Sequence, residues 1–118
     1  MPTASLKKLS ISNEIRNDGT LCSLVERAIE LLIGELGQSV DTAEACWTTH
    51  IDDLSQRIVQ LLLSDWSGSV VADFSEGQLA DVRRLQWRLG RLWGDLLQIR
   101  SHRQLARLHE VVQGLSDD

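Results

Sequence analysis

A leucine seam running through the most basic segment, residues 75–115, constrains this chain more than any other feature. Leu79, Val82, Leu85, Leu89, Leu92, Leu96 and Ile99 recur at steps of three and four, the spacing of one helical face. Ser75 followed by Gln78 reads as a capping box that starts the helix. Beyond Arg100 the seam shifts to Leu105, Leu108, Val112 and Leu115, and that phase slip predicts a bend or break near Ser101. Gly90 and Gly94 lie inside the segment, each costing about 1 kcal/mol relative to alanine. Between Val82 and His109 stand seven arginines (Arg83, Arg84, Arg88, Arg91, Arg100, Arg103, Arg107) and one acid, Asp95. The chain holds 12 Lys+Arg and 17 Asp+Glu, which leaves five bases and sixteen acids elsewhere. An acidic protein thus carries one basic segment.

The remaining elements are read against that helix. At 118 residues the chain is one domain, and its one proline, Pro2, lies outside any packed region. Residues 1–19 are polar and end in Asn17-Asp18-Gly19, so they are expected to form a flexible arm ahead of a single domain over 20–118. Thr20 is expected to cap a helix from Leu21 to Leu36, with Gly37 just past its end. Asp41 is expected to start a second helix running to Ser64, on a seam of Ala43, Trp47, Ile51, Leu54, Ile58 and Leu61. The short link at Gln38–Val40 makes these two an antiparallel hairpin. Asp65-Trp66-Ser67-Gly68 reads as a turn. Ser69–Phe74 resembles a strand, but with no partner strand in view it is read as a helical turn or an extended linker. The expected fold is all-α: an antiparallel helical hairpin plus a long third helix, assembled as a dimeric helical bundle.

Few residue sets carry chemistry. Cys22 and Cys46 are isolated, which suits buried thiols in a reducing compartment better than a disulfide framework or a metal site. His102 and His109 lack a third ligand and are read as surface residues. Asp52-Asp53 and Glu26/Glu30 are read as solvated faces rather than acid–base pairs. No nucleophile motif or phosphate-cradling loop is present, so no enzyme activity, metal or cofactor is expected. No apolar run is long enough to span a bilayer, and the chain is expected to be soluble and cytoplasmic.

Arginine clusters bind phosphates bidentately, and Trp87 beside Arg84, Arg88 and Arg91 could add stacking. The competing reading pairs these arginines with the sixteen acids elsewhere. Two segments tilt the balance. Gln56-Arg57-Ile58-Val59-Gln60-Leu61-Leu62-Leu63 and Ser69-Val70-Val71-Ala72-Asp73-Phe74-Ser75-Glu76-Gly77 resemble the double-stranded-RNA-binding silencing suppressors of insect nodaviruses. The resemblance implies a viral protein acting in the host cytoplasm: an all-helical homodimer that lies along duplex RNA without reading sequence and suppresses RNA silencing. It places Arg57 on phosphate with His50 assisting, and the row Arg84, Arg88 and Arg91 on the flanking backbone. The alternative is a helical protein–protein interaction module (an adaptor, chaperone or inhibitor) whose interface uses Trp47, Trp66, Trp87 and Trp93.

Overall fold

A computed structural model describes residues 5–116, with side chains to residue 113. The chain folds as an α/β protein rather than the expected all-α bundle. In chain order it forms β1 (Lys8–Ile11), α1 (Asn13–Arg16), α2 (Gly19–Leu36), a 3-10 turn (Gly37–Thr42), β2 (Glu44–Ile51), β3 (Arg57–Asp65), β4 (Gly68–Phe74), α3 (Glu76–Ala80) and α4 (Val82–Ser116). The four strands make one mixed sheet in the order β1-β2-β3-β4. β1 pairs parallel with β2, and β2, β3 and β4 pair antiparallel.

The second expected helix is the largest correction. Residues 44–65 form a β-hairpin, in the register Trp47↔Leu61 and Thr49↔Val59. Two signals explain the outcome. Trp47, Thr48, Thr49, Ile51, Ile58 and Val59 are β-branched or aromatic, and such side chains pack well on a pleated surface. The Asp52 carboxylate also accepts hydrogen bonds from the backbone N–H groups of Leu54 at 2.9 Å and Gln56 at 2.8 Å. That is Asx-turn chemistry, and it breaks a helix where the heptad spacing continued one. Ser55 completes the turn with φ of 61°. The heptad reading counted Ile51 and Leu54 as core, yet they are 64% and 78% exposed at the hairpin tip. The true period is two: Ala45 and Trp47, then Val59, Leu61 and Leu63, are buried.

This hairpin supplies the partner that Ser69–Phe74 lacked in the sequence reading, and that segment is β4. The turn at Asp65–Gly68 forms as expected. Residues 8–16 are likewise no mere arm: β1 edges the sheet and Ile15 is fully buried. Residues 1–4 of that expected arm lie outside the described residues.

The two outer helices of the reading are retained in modified form. α2 is capped by Asp18, not Thr20: an Asp18 carboxylate oxygen accepts from the Leu21 N–H at 3.1 Å. Gly37 ends it with φ of 56° and an N–H bonded to the Ile33 carbonyl, a left-handed turn that glycine accepts without strain. The Ser75/Gln78 capping box is present but opens only the short α3. The break falls at Asp81, which has extended ψ and accepts from the Arg84 N–H at 3.3 Å. No break occurs near Ser101; α4 continues through it to Ser116.

One face of the sheet carries the core. Leu21, Val25, Ala28, Leu32 and Leu36 of α2 and Leu85, Leu89, Leu92 and Leu96 of α4 are buried in one cluster with Trp47, Val59, Leu61, Leu63 and Phe74. The alternate strand positions, among them Leu62 and Val71, stay exposed on the other face. α2 and α4 approach closely where a Cβ on Gly90 would stand 3.2 Å from a Glu35 carboxylate oxygen. Among the described residues, no helix is long and apolar enough to cross a membrane.

The alternation predicts an asymmetric mutational response. Leu61→Ala should cost about 2–5 kcal/mol in urea unfolding, the range for a buried leucine. Leu62→Ala, one residue on and facing outward, should cost less than about 1 kcal/mol.

Candidate interaction surface

The residues expected to hold phosphate start from different backbones and do not converge. Arg57 begins β3 and pairs across to Ile51, whereas His50 pairs to Ile58. Neighbouring pairs on a ladder face opposite ways, so Arg57 and His50 lie on opposite faces of the sheet. The sequence reading had them seven apart on one helical face; a hairpin turn now separates them. His50 Nε2 stands 3.5 Å from a carboxylate oxygen of Asp73 on the outward face. Arg57 is held by two acids from the helical side: one Nη2 donates to Asp18 at 2.6 Å and to Glu76 at 2.7 Å. These bonds to Glu76 and Asp18 raise the Arg57 pKa further, so the guanidinium is a fixed cation already answered by two carboxylates.

Asp18 serves two masters at this point. Its pKa is lowered, first by the Leu21 N–H at the start of α2 and next by Arg57. A carboxylate with a depressed folded pKa stabilises the fold above its unfolded value of about 3.9. That stabilisation is lost as pH falls through the lower folded value.

The arginine row on α4 is also engaged. Arg84 Nε stands 3.6 Å from Asp81 Oδ2. The Arg88 guanidinium lies over the Phe74 ring at 4.3 Å and donates to Gln78 Oε1 at 3.3 Å. Arg91 stacks over Trp87 at 5.6 Å, and both edge an open groove with Glu35, Arg83, Gln86 and Gly90. Arg88 and Arg91 line a second depression that also contains the carboxylates Asp73 and Asp95. The row is therefore interleaved with acids rather than presented as a continuous basic stripe.

A cluster that the sequence reading did not find lies further along α4. Arg100 Nη2 donates to Asp65 Oδ2 at 2.7 Å, and the Asp65 side chain is fully buried. The Ser67 backbone N–H donates to the other Asp65 oxygen at 2.7 Å, and the Ser67 hydroxyl donates there too. Burial raises the Asp65 pKa, but the Ser67 and Arg100 hydrogen bonds outweigh it and the net shift is downward. The Arg100 guanidinium sits 5.2 Å from the Trp93 ring and 6.0 Å from the Trp66 ring, and Arg107 approaches Trp66 at 6.0 Å. Gly68 permits this docking: a Cβ there would meet Ile99 Cγ2 at 3.0 Å. The one local signal was Asp-x-Ser at a turn; the partner 35 residues away left none.

The four tryptophans divide evenly. Trp47 and Trp93 are buried, while Trp66 and Trp87 are exposed. Past Ile99 the helix meets the β3–β4 turn through Arg100 and Arg107 while its opposite side turns to solvent. Leu105, Leu108 and Val111 are 63%, 62% and 60% exposed, and Leu97 and Val112 are exposed with them. Leu115, the last member of the shifted seam, lies outside the described side chains. The phase slip read at Ser101 is thus real but marks a change of face, not a break.

Neither thiol is paired, and both are half-buried. Burial, and then Glu26, raise the Cys22 pKa, which favours the unreactive thiol. Among the described residues there is no group of three His, Cys, Asp or Glu side chains placed to hold a metal.

Removing one half of the Arg100–Asp65 pair should expose its importance. Arg100→Ala leaves a buried carboxylate unanswered, and thermal or urea unfolding should show a loss of about 3–5 kcal/mol. The pair's contribution is present above the unfolded aspartate value of about 3.9 and disappears as pH falls through the lower folded value. The wild-type and Arg100→Ala stability curves should therefore converge at acid pH. No protein-family model, no curated protein and no solved structure matches the chain.

Proposed function

We propose that this protein is a non-catalytic protein–protein interaction module, an adaptor or chaperone that self-associates, built as an α/β body with a projecting helix. The observation that carries this is the far half of α4, where Leu97, Leu105, Leu108 and Val111 are exposed on an otherwise polar helix. The polar side of this half meets the β3–β4 turn at Asp65 and Trp66, but the apolar row on the opposite side stays exposed, and such a row gains nothing unless another surface covers it. Exposed Trp66 and Trp87 add the residue type most enriched at interface hot spots. Two free thiols, one of them with a raised pKa, fit a reducing cytoplasmic setting.

Duplex-RNA binding is the second reading. It rests on the groove where Arg83, Arg91 and Trp87 meet solvent. Against it stand the bonding of Arg57 to Asp18 and Glu76, and the carboxylate of Asp73 beside His50. The hairpin at Arg57–Phe74 also replaces the helices on which the nodavirus resemblance relied.

One pair of measurements separates the readings. A 20-base-pair RNA duplex should not shift in a gel at low salt, where phosphate binding is strongest. A nuclease-treated extract should yield a protein partner with the wild-type chain and lose it with Leu108→Glu. A low-salt RNA shift abolished by Arg91→Glu would reverse the order of the two readings.

A further inference from the structure

The geometry points to a second copy of this chain as the occupant of the outward face of α4, packed antiparallel about a two-fold axis near residue 103. This deepens the interaction reading and rests on its premise that the face is covered. At about 100° per residue, Gly94, Leu97, Ser101, Leu105, Leu108 and Val112 fall on one stripe, with Val111 beside it. Their steps of three, four, four, three and four keep one face of the helix, with one four-residue stutter at Ser101–Leu105. The stripe lies opposite Arg103, Ala106, Arg107 and Glu110, which line the side of α4 facing Trp66.

The seam matches its own reverse. An antiparallel copy centred near residue 103 sets Leu97 against Leu108, Ser101 against Leu105, and Gly94 against Val111 and Val112. Each small residue then meets a large one, as knobs-into-holes packing requires. A Cβ added at Gly94 would meet nothing within 4 Å, so the space beside it is open to an incoming valine. A parallel pair would stack Gly94 on Gly94 and Ser101 on Ser101, leaving gaps at both layers.

The flanks agree. In this register Gln98 lies beside His109, His102 beside its own copy, and Gln104 beside Arg100. No two arginines and no two carboxylates meet in these flanking pairs. An acidic partner helix would find no free flanking arginine, because Arg100 is already bonded to Asp65 and Arg103 and Arg107 face the other way. α2 abuts α4 at Gly90 through Glu35, ahead of the seam, and antiparallel packing sends the two bodies to opposite ends. The paired stretch is about 28 Å long. That places the interface among the small ones, below about 1,200 Å², the class of weak and transient association.

Sedimentation velocity at pH 8, from about 5 to about 300 µM, tests for such association. The wild-type chain should pass from monomer to dimer over this range, and Leu108→Glu should stay monomeric with an unchanged circular-dichroism spectrum. Single cysteines in a Cys22→Ser, Cys46→Ser background test the register. His102→Cys should oxidise to a covalent dimer. Gln113→Cys should not, since its two copies lie about 30 Å apart in the antiparallel pair. A monomer at the highest concentration overturns the inference, as does a Gln113→Cys that cross-links as readily as His102→Cys. If the chain is monomeric and Leu108→Glu still loses its captured partner, the self-pairing falls and the interaction module stands. If Leu108→Glu changes neither, both fall.

Discussion

The buried pair of Asp65 and Arg100 decides where this protein ends and its projecting helix begins. Asp65 closes the β3–β4 turn through Ser67 and at the same time fixes α4 through Arg100. Upstream, the leucine seam of α4 is buried against the sheet and α2. Downstream, the same helix continues with its apolar side chains exposed. Two charges removed from water attract strongly only when hydrogen bonds satisfy them; here Ser67 bonds the carboxylate and two indole rings flank the guanidinium, whose buried Nε is left without a hydrogen-bond acceptor. The helix spans 35 residues, or about 52 Å, in a molecule whose longest dimension is 62 Å. Its projection therefore shapes the whole molecule.

One side of the sheet is covered, and this explains the division of labour along the strands. Val59, Leu61 and Leu63 meet the helices while Leu62 faces away. Such a sheet needs only two helices, and α4 requires no more than its first half for that task. The rest of α4 is left for something else. Its cations are partly engaged within the fold: Arg84 stands beside Asp81, Arg100 is bonded to Asp65, and Arg88, Arg91 and Arg107 lie over Phe74, Trp87 and Trp66.

The helices were legible because their signals are local. Gly37, Ser75 and Gln78 sit beside the elements they bound, and the seams of α2 and α4 repeat within a few residues, although Thr20 was read as the cap that Asp18 provides. The hairpin was not legible, because Leu61-Leu62-Leu63 satisfies both periods and the decisive Asp52 turn imitates a helical charge pair. Once β3 was missed, β4 had no partner and was misread in turn. The ion pairs were the least visible. Arg57 with Glu76 and Arg100 with Asp65 join residues 19 and 35 positions apart, and only the folded topology brings them together.

The central claim is that α4 beyond Ile99 is a stable helix only in part on its own account and is covered by another surface in use. Hydrogen exchange of the backbone amides of residues 101–113, measured across protein concentration, tests this directly. This segment is largely exposed, so its amides should open easily, and coverage should slow them. The account predicts protection that rises with concentration in this segment and stays constant in β3. Exchange at 101–113 that is fast and unchanged at every concentration would contradict it.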